Sequence, residues 1–164
     1  MDKRLEYTAW ITDQEFQGTS FNAKPLIETL SAMNKEQASS VDTYEGYSVW
    51  HILLHLVYWK HWLTNALGGD AGAFPYAEKD WPDLPEEVSD QAWADLLEYA
   101  RDIHSRYMTT LDQLPGSKLD TEYEPWKTPY WQLVSWMGTH DAVHAAQIRN
   151  MRVPGFEASP FKEK

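Results

Sequence analysis

A chain of 164 residues can bury a sizeable core in one domain, and its net charge of −11, from 14 Lys plus Arg against 25 Asp plus Glu, repels phosphate backbones and argues against nucleic acid as a partner. The absence of cysteine excludes disulfides, thiolate metal sites, iron–sulfur clusters and a cysteine nucleophile. The opening residues MDKRLEYTAW hold no apolar signal core, and no apolar run of about 18 residues occurs, so a soluble, cytoplasmic protein without a membrane partner is expected.

The first predicted helix runs from about Ala23 to Ser39, with Leu26, Ile27, Leu30, Met33 and Ala38 at helical spacing. Ser48 is the expected N-cap of the second, which carries Val49, Ile52, Leu56, Trp59 and Leu63 and stops at Gly68-Gly69. Residues 69–87 are rich in Gly, Pro and Asp and read as an ordered-to-mobile loop. The third helix opens near Ser89 or Asp90, presents Trp93, Leu96, Leu97, Ala100, Ile103, Tyr107, Met108 and Leu111, and ends at Leu114-Pro115-Gly116. An irregular or extended connection, LDTEYEPWK, follows. Thr128 is the expected N-cap of the fourth helix, with Pro129 at its first position, and that helix runs to about Arg152. Four helices around one core predict an all-α four-helix bundle spanning residues 1–164, with about 20 N-terminal and 10 C-terminal residues peripheral.

Four of the six histidines fall into two pairs four residues apart, His51/His55 and His140/His144. In a helix such residues stand one turn above each other on one face. His140 and His144 share their face with Leu133, Met137 and Met151, and His55 shares its face with Ile52, Trp59 and Trp62, so these three imidazoles point inward. His51 is offset by about 40° from His55 at 100° per residue, and either joins the site or lies at its rim. His61, about 240° round, is expected to face solvent. A lone inward histidine, such as His104, is ordinarily a hydrogen-bonded core residue. Three on two helices are better satisfied by one divalent ion than by burial unpaired. Three imidazoles also leave a coordination position open for water or a small molecule, as in catalytic sites. His140-Asp141-Ala142-Val143-His144 differs from the zinc-protease helix HExxH by Asp for Glu; the shorter carboxylate and the lack of a downstream ligand exclude that reading.

The chain resembles the DinB/YfiT-like family of metalloenzymes from about residue 20 to 152. Ser48-Val49-Trp50-His51-Ile52-Leu53-Leu54-His55-Leu56-Val57-Tyr58-Trp59 is similar to that family's SIWEIxxHLxxW motif, and His140-Asp141-Ala142-Val143-His144-Ala145-Ala146-Gln147-Ile148 to its HDxxHxGQI motif. The resemblance implies an up-down-down-up bundle, a divalent ion such as nickel or zinc held by His55, His140 and His144, and a homodimer. His51 stands where such sequences commonly have Glu, and is expected outside the ligand set. Ala146 replaces a frequent Gly and is expected to widen the local helix spacing without touching the ligands.

The activity implied is a metal-dependent S-transferase that activates an external low-molecular-weight thiol such as bacillithiol, mycothiol or glutathione. A chain without cysteine needs no nucleophile of its own for that chemistry. The alternatives are a metal-dependent hydrolase using a metal-bound water, with Asp141 or Gln147 orienting the ligands, and a non-enzymatic metal- or ligand-binding protein. Phe74, Tyr76, Trp81, Trp126 and Trp131 can either bind apolar electrophiles or simply cap the bundle.

Overall fold

Asp2 opens the first helix: its carboxylate accepts from the backbone N–H of Arg4, and α1 follows over Lys3–Phe16. The computed structural model describes residues 2–157 and is all-α apart from one short strand pairing. Residues 3–16 were expected to be peripheral, yet they form one of four long helices, burying Leu5, Thr12 and Phe16. The predicted helix over 23–39 is instead two short ones, α2 (Leu26–Ser31) and α3 (Lys35–Ser39). The break has a local cause. Asn34 caps α3, its side chain accepting from Gln37 N while the Gln37 side chain accepts from Asn34 N, and that reciprocal cap requires extended backbone at residue 34.

The second, third and fourth predicted helices are present as α4 (Val49–Ala66), α5 (Asp90–Gln113) and α6 (Tyr130–Asn150). Ser48 and Ser89 cap α4 and α5 as expected. At α6 the boundary moves by one residue: Pro129 occupies the N-cap, and Thr128 belongs to a two-residue strand. That strand, β2 (Thr128–Pro129), pairs antiparallel with β1 (Glu122–Tyr123) and ties down the connection from α5. The C-terminal stretch expected to be peripheral lies largely outside the described residues.

Helices α1, α6, α4 and α5 contact one another in that cyclic order. Close approach of α1 to α6 is set at Gly138, where a Cβ would stand 3.3 Å from Thr12 Oγ1. The interior divides into two apolar clusters. One gathers Trp50, Leu53, Leu96, Ile103 and Ile148; the other gathers Leu63, Tyr107, Leu111 and Met137. Each fully buried Leu or Ile contributes roughly 1.5–3 kcal/mol relative to exposure. Lys60 of α4, His104 of α5, and His140 and Asp141 of α6 form a buried polar layer, which the half-buried Asp13 of α1 joins through His104. Among the described residues no helix is long and apolar enough to cross a membrane.

Candidate metal centre

The polar layer is where the histidines meet. His55 projects from the middle of α4, and His140 and His144 from successive turns of α6. His55 Nε2 lies 3.1 Å from His140 Nε2, and His144 Nε2 lies 3.2 Å from the same atom. One nitrogen from each of the three residues falls within 4.8 Å of the other two. Two imidazole nitrogens held about 2.0–2.1 Å from one tetrahedral zinc ion stand about 3.3 Å apart, so the observed spacing matches a shared ion. His55 and His140 are buried and His144 is half-buried.

The outer ring nitrogens determine which way the lone pairs face. His55 Nδ1 lies 2.6 Å from Asp80 Oδ1. A carboxylate only accepts, so the proton sits on Nδ1 and the neutral ring turns its Nε2 lone pair toward the cluster. The same Asp80 oxygen also accepts from Trp59 Nε1, which anchors the carboxylate. His144 Nδ1 lies 2.7 Å from Gln147 Oε1, and Gln147 Nε2 donates to Tyr47 OH at 2.6 Å, fixing the amide's orientation. Metal-ligating histidines commonly carry such acceptors on the ring nitrogen that does not bind the ion. His140 has none: its Nδ1 is buried without a partner.

Electrostatics keeps the rings neutral. Burial, with the neighbouring His144, His55 and Lys60, pushes the His140 imidazole down to about 2. Burial also lowers His55 and His144, against the opposing pull of Asp80 on the first and of Gln147 on the second. Unprotonated imidazole is the form that ligates metal.

Aromatic rings wall the cluster. Trp81 stacks on His55 with centroids 4.3 Å apart and planes 18° apart, and Trp136 lies 4.7 Å from His140. Of the aromatics singled out in the sequence, Trp81 therefore touches the cluster. Phe74 and Tyr76 pack with Tyr99 on another side of α4, Trp126 stacks on Trp62, and Trp131 is exposed.

The other histidines have separate employment. His51 Nδ1 accepts from Ser48 N at 3.1 Å while Ser48 Oγ accepts from His51 N, so the ring completes a capping box at the start of α4 and takes no part in the cluster. His61 was expected to face solvent; it is half-buried, bonded to Tyr99 OH at 2.9 Å and packed on Phe74. His104 is a core residue, stacked on Phe16 and bonded to Asp13. Asp141 faces away from the cluster toward Lys60, 2.6 Å off. Sequence reasoning missed Asp80, Gln147's link to Tyr47, and Lys60. Asp80 lies 25 residues from His55 in an aperiodic loop, and nothing in its local pattern announces a partner.

No curated protein and no solved structure matches the chain. The family model of the DinB superfamily matches residues 21–148, a span that holds all three clustered histidines and Asp80, and the chain belongs to that superfamily.

Proposed function

We propose that His55, His140 and His144 hold one divalent transition-metal ion, nickel or zinc, and that the protein is a metal-dependent S-transferase for an external low-molecular-weight thiol. The observation that carries the metal reading is the convergence of three Nε2 atoms whose rings are neutral and, at His55 and His144, oriented from behind by Asp80 and Gln147. A divalent ion there supplies Lewis acidity, which lowers the pKa of a thiol or water that reaches it. The chain's own residues do the rest: Asp80 and Gln147 fix the ligand rings, while Trp81 and Trp136 exclude water and offer apolar faces to an electrophile.

Hydrolysis is the second reading, and one observation weighs against it. A hydrolase benefits from a carboxylate free to take a proton from the attacking water. Asp141 is committed to Lys60, and Asp80 to His55 and Trp59. Thiol transfer needs only loss of the thiol proton to solvent as sulfur bonds to carbon and the leaving group departs. A homodimeric, cytoplasmic protein completes this reading, and sedimentation equilibrium tests the dimer.

Elemental analysis of the protein as isolated, followed by assay with bacillithiol, mycothiol, glutathione and coenzyme A against chlorodinitrobenzene, tests the whole. One equivalent of metal and conjugation above a chelated control are expected. Thiol-independent ester or amide cleavage transfers the assignment to hydrolase, and neither activity leaves a binding protein.

A further inference from the structure

The segment that orients His55 has a second face. Asp80 and Trp81 meet the histidine cluster, while their neighbours Lys79, Pro82 and Asp83 line a cavity of about 510 Å³ between this segment, α4 and α5. Its floor is Trp50 and Leu54 of α4, and Ala92 of α5 forms the far side. Leu84 and Pro85 continue the wall. Cavities of roughly 300–1,000 Å³ with apolar walls and a few polar groups are the usual form of small-molecule sites. Fixed φ angles at Pro82 and Pro85 restrain the wall from collapsing onto the floor.

The rim specifies charge. The exposed lining residues Asp83, Glu86 and Asp95 stand against one cation, Lys79, which already lies 3.8 Å from Asp83. The field reaches inward: the Tyr76 hydroxyl, which also lines the cavity, is pushed up to about 12 by burial first and by Asp95 second. An anion entering this space meets that field and a chain of net charge −11. A cation with an apolar body gains from both features, its body against Trp50, Leu54 and Leu84 and its charge toward Asp95 and Glu86.

We propose that this cavity is a second small-molecule site, distinct from the histidine cluster, for an organic amine with an aromatic or branched apolar body. The assignment does not depend on metal at the cluster. Because residues 79–83 form both the cavity wall and the support of His55, a ligand in the cavity also bears on the cluster's geometry.

Calorimetric titration of the full chain with 2-(2-naphthyl)ethylamine and with 2-naphthylacetate, in chelator and with zinc, tests this. Saturable binding of one amine per chain is expected in both conditions, with the isosteric carboxylate at least about tenfold weaker, a difference of about 1.4 kcal/mol. Ala92→Leu, which adds bulk to the cavity from a half-buried position in the first turn of α5, should weaken the amine about tenfold or more while leaving the circular dichroism unchanged. Asp95→Asn, a surface change, should narrow the gap between the two probes. No saturable amine binding, equal affinity for the two probes, undiminished affinity in Ala92→Leu, or loss of amine binding in His140→Ala would each overturn the assignment; the last would place the probe at the cluster.

Discussion

Lys60 Nζ and Asp141 Oδ2 lie 2.6 Å apart with side chains 3 % and 0 % exposed, an ion pair that joins α4 to α6 next to the histidine cluster. Asp141 follows His140 directly, and Lys60 lies five residues beyond His55, so the pair fixes the register in which the two ligand-bearing helices face each other. Burial draws the Lys60 ammonium below its ordinary value, and the Asp141 carboxylate opposes that shift. Phe16 adds its ring face 4.3 Å from the same ammonium.

Removing one partner strands the other charge in the core, so Lys60→Met or Asp141→Leu alone should cost roughly 3–5 kcal/mol. The double variant should cost clearly less than either single change, because no lone charge remains. Urea denaturation of chelator-treated protein measures all three. Additive losses in the double variant would contradict a coupled pair.

Much of the fold was legible because α4, α5 and α6 combine capping residues with inward apolar periodicity. Helix α1 was not, for a physical reason. Three of its large apolar side chains, Tyr7, Trp10 and Ile11, are exposed, while the polar Thr12 is buried against α6 along with Leu5 and Phe16. Exposed apolar residues next to a buried polar one blur the periodicity, and reading every apolar position as core misplaces the helix. The break between α2 and α3 did have a local signal, Asn34 three residues before Gln37, which the longer apolar spacing of residues 26–38 masked. In the candidate site the three clustered histidines were legible from their i,i+4 spacing and family motifs. Gln147, one helical turn from His144, was legible as an orienting group, whereas Asp80 was hidden, because a loop contact such as Asp80 to His55 has no period.

His51 provides a test of that distinction. The family resemblance implies Glu at its position, and the structure gives it the third helical position of a capping box, the place where Glu ordinarily closes the motif. His51→Glu should therefore keep the fold and the metal stoichiometry, and the added negative charge at a helix N-terminus should stabilise by about 0.3–1 kcal/mol. Ser48→Ala should cost about 1 kcal/mol by removing the cap. Thermal melts with parallel metal analysis decide the matter; loss of metal in His51→Glu would return His51 to the ligand set.

His104 predicts the acid side of the stability profile. Burial, then the adjacent Lys60 charge, pushes its imidazole down to about 3, from 6.5 in the unfolded chain. The folded protein thus holds the ring neutral while the unfolded chain protonates it, so this contribution is intact above about pH 6.5 and is lost progressively as pH falls toward 3. The slope approaches about 1.4 kcal/mol per pH unit for one proton. His104→Gln, which cannot take up that proton, should be flatter than the parent by up to that amount between pH 4 and 6. Denaturation series at several pH values, in chelator, supply the comparison, and identical slopes would remove His104 as the cause.

Chelation should lower the melting temperature and leave the far-ultraviolet helical signal largely intact at 25 °C. The two apolar clusters span all four long helices and amount to an ordinary core, unlike a zinc finger that folds only around its ion. Wholesale loss of helix on chelation would show that the ion, and not the core, holds the bundle.

Asp80 links the loop to the metal reading most directly. Its carboxylate fixes the His55 proton on Nδ1 and is itself held by Trp59. Asp80→Asn preserves size and can still accept from Trp59, but its amide lacks the charge that makes His55 Nε2 a stronger donor. Zinc affinity, measured by competition with a chromophoric chelator, should fall about 10–100-fold, the usual consequence of losing such an outer partner. His55→Ala, which removes a ligand outright, should fall further, and Glu87→Gln, an exposed change in the same loop, should leave affinity unmoved. The neutral rings add a second expectation for the same titration. Because burial keeps His140 at about 2 and lowers His55 and His144, protons compete weakly with the ion, and zinc affinity should change little between pH 8 and 6. An exposed three-histidine site would instead begin to lose metal near pH 6.5, as its imidazoles take up protons at their ordinary value. Wild-type affinity in Asp80→Asn would show that the loop merely covers the cluster and does not tune it.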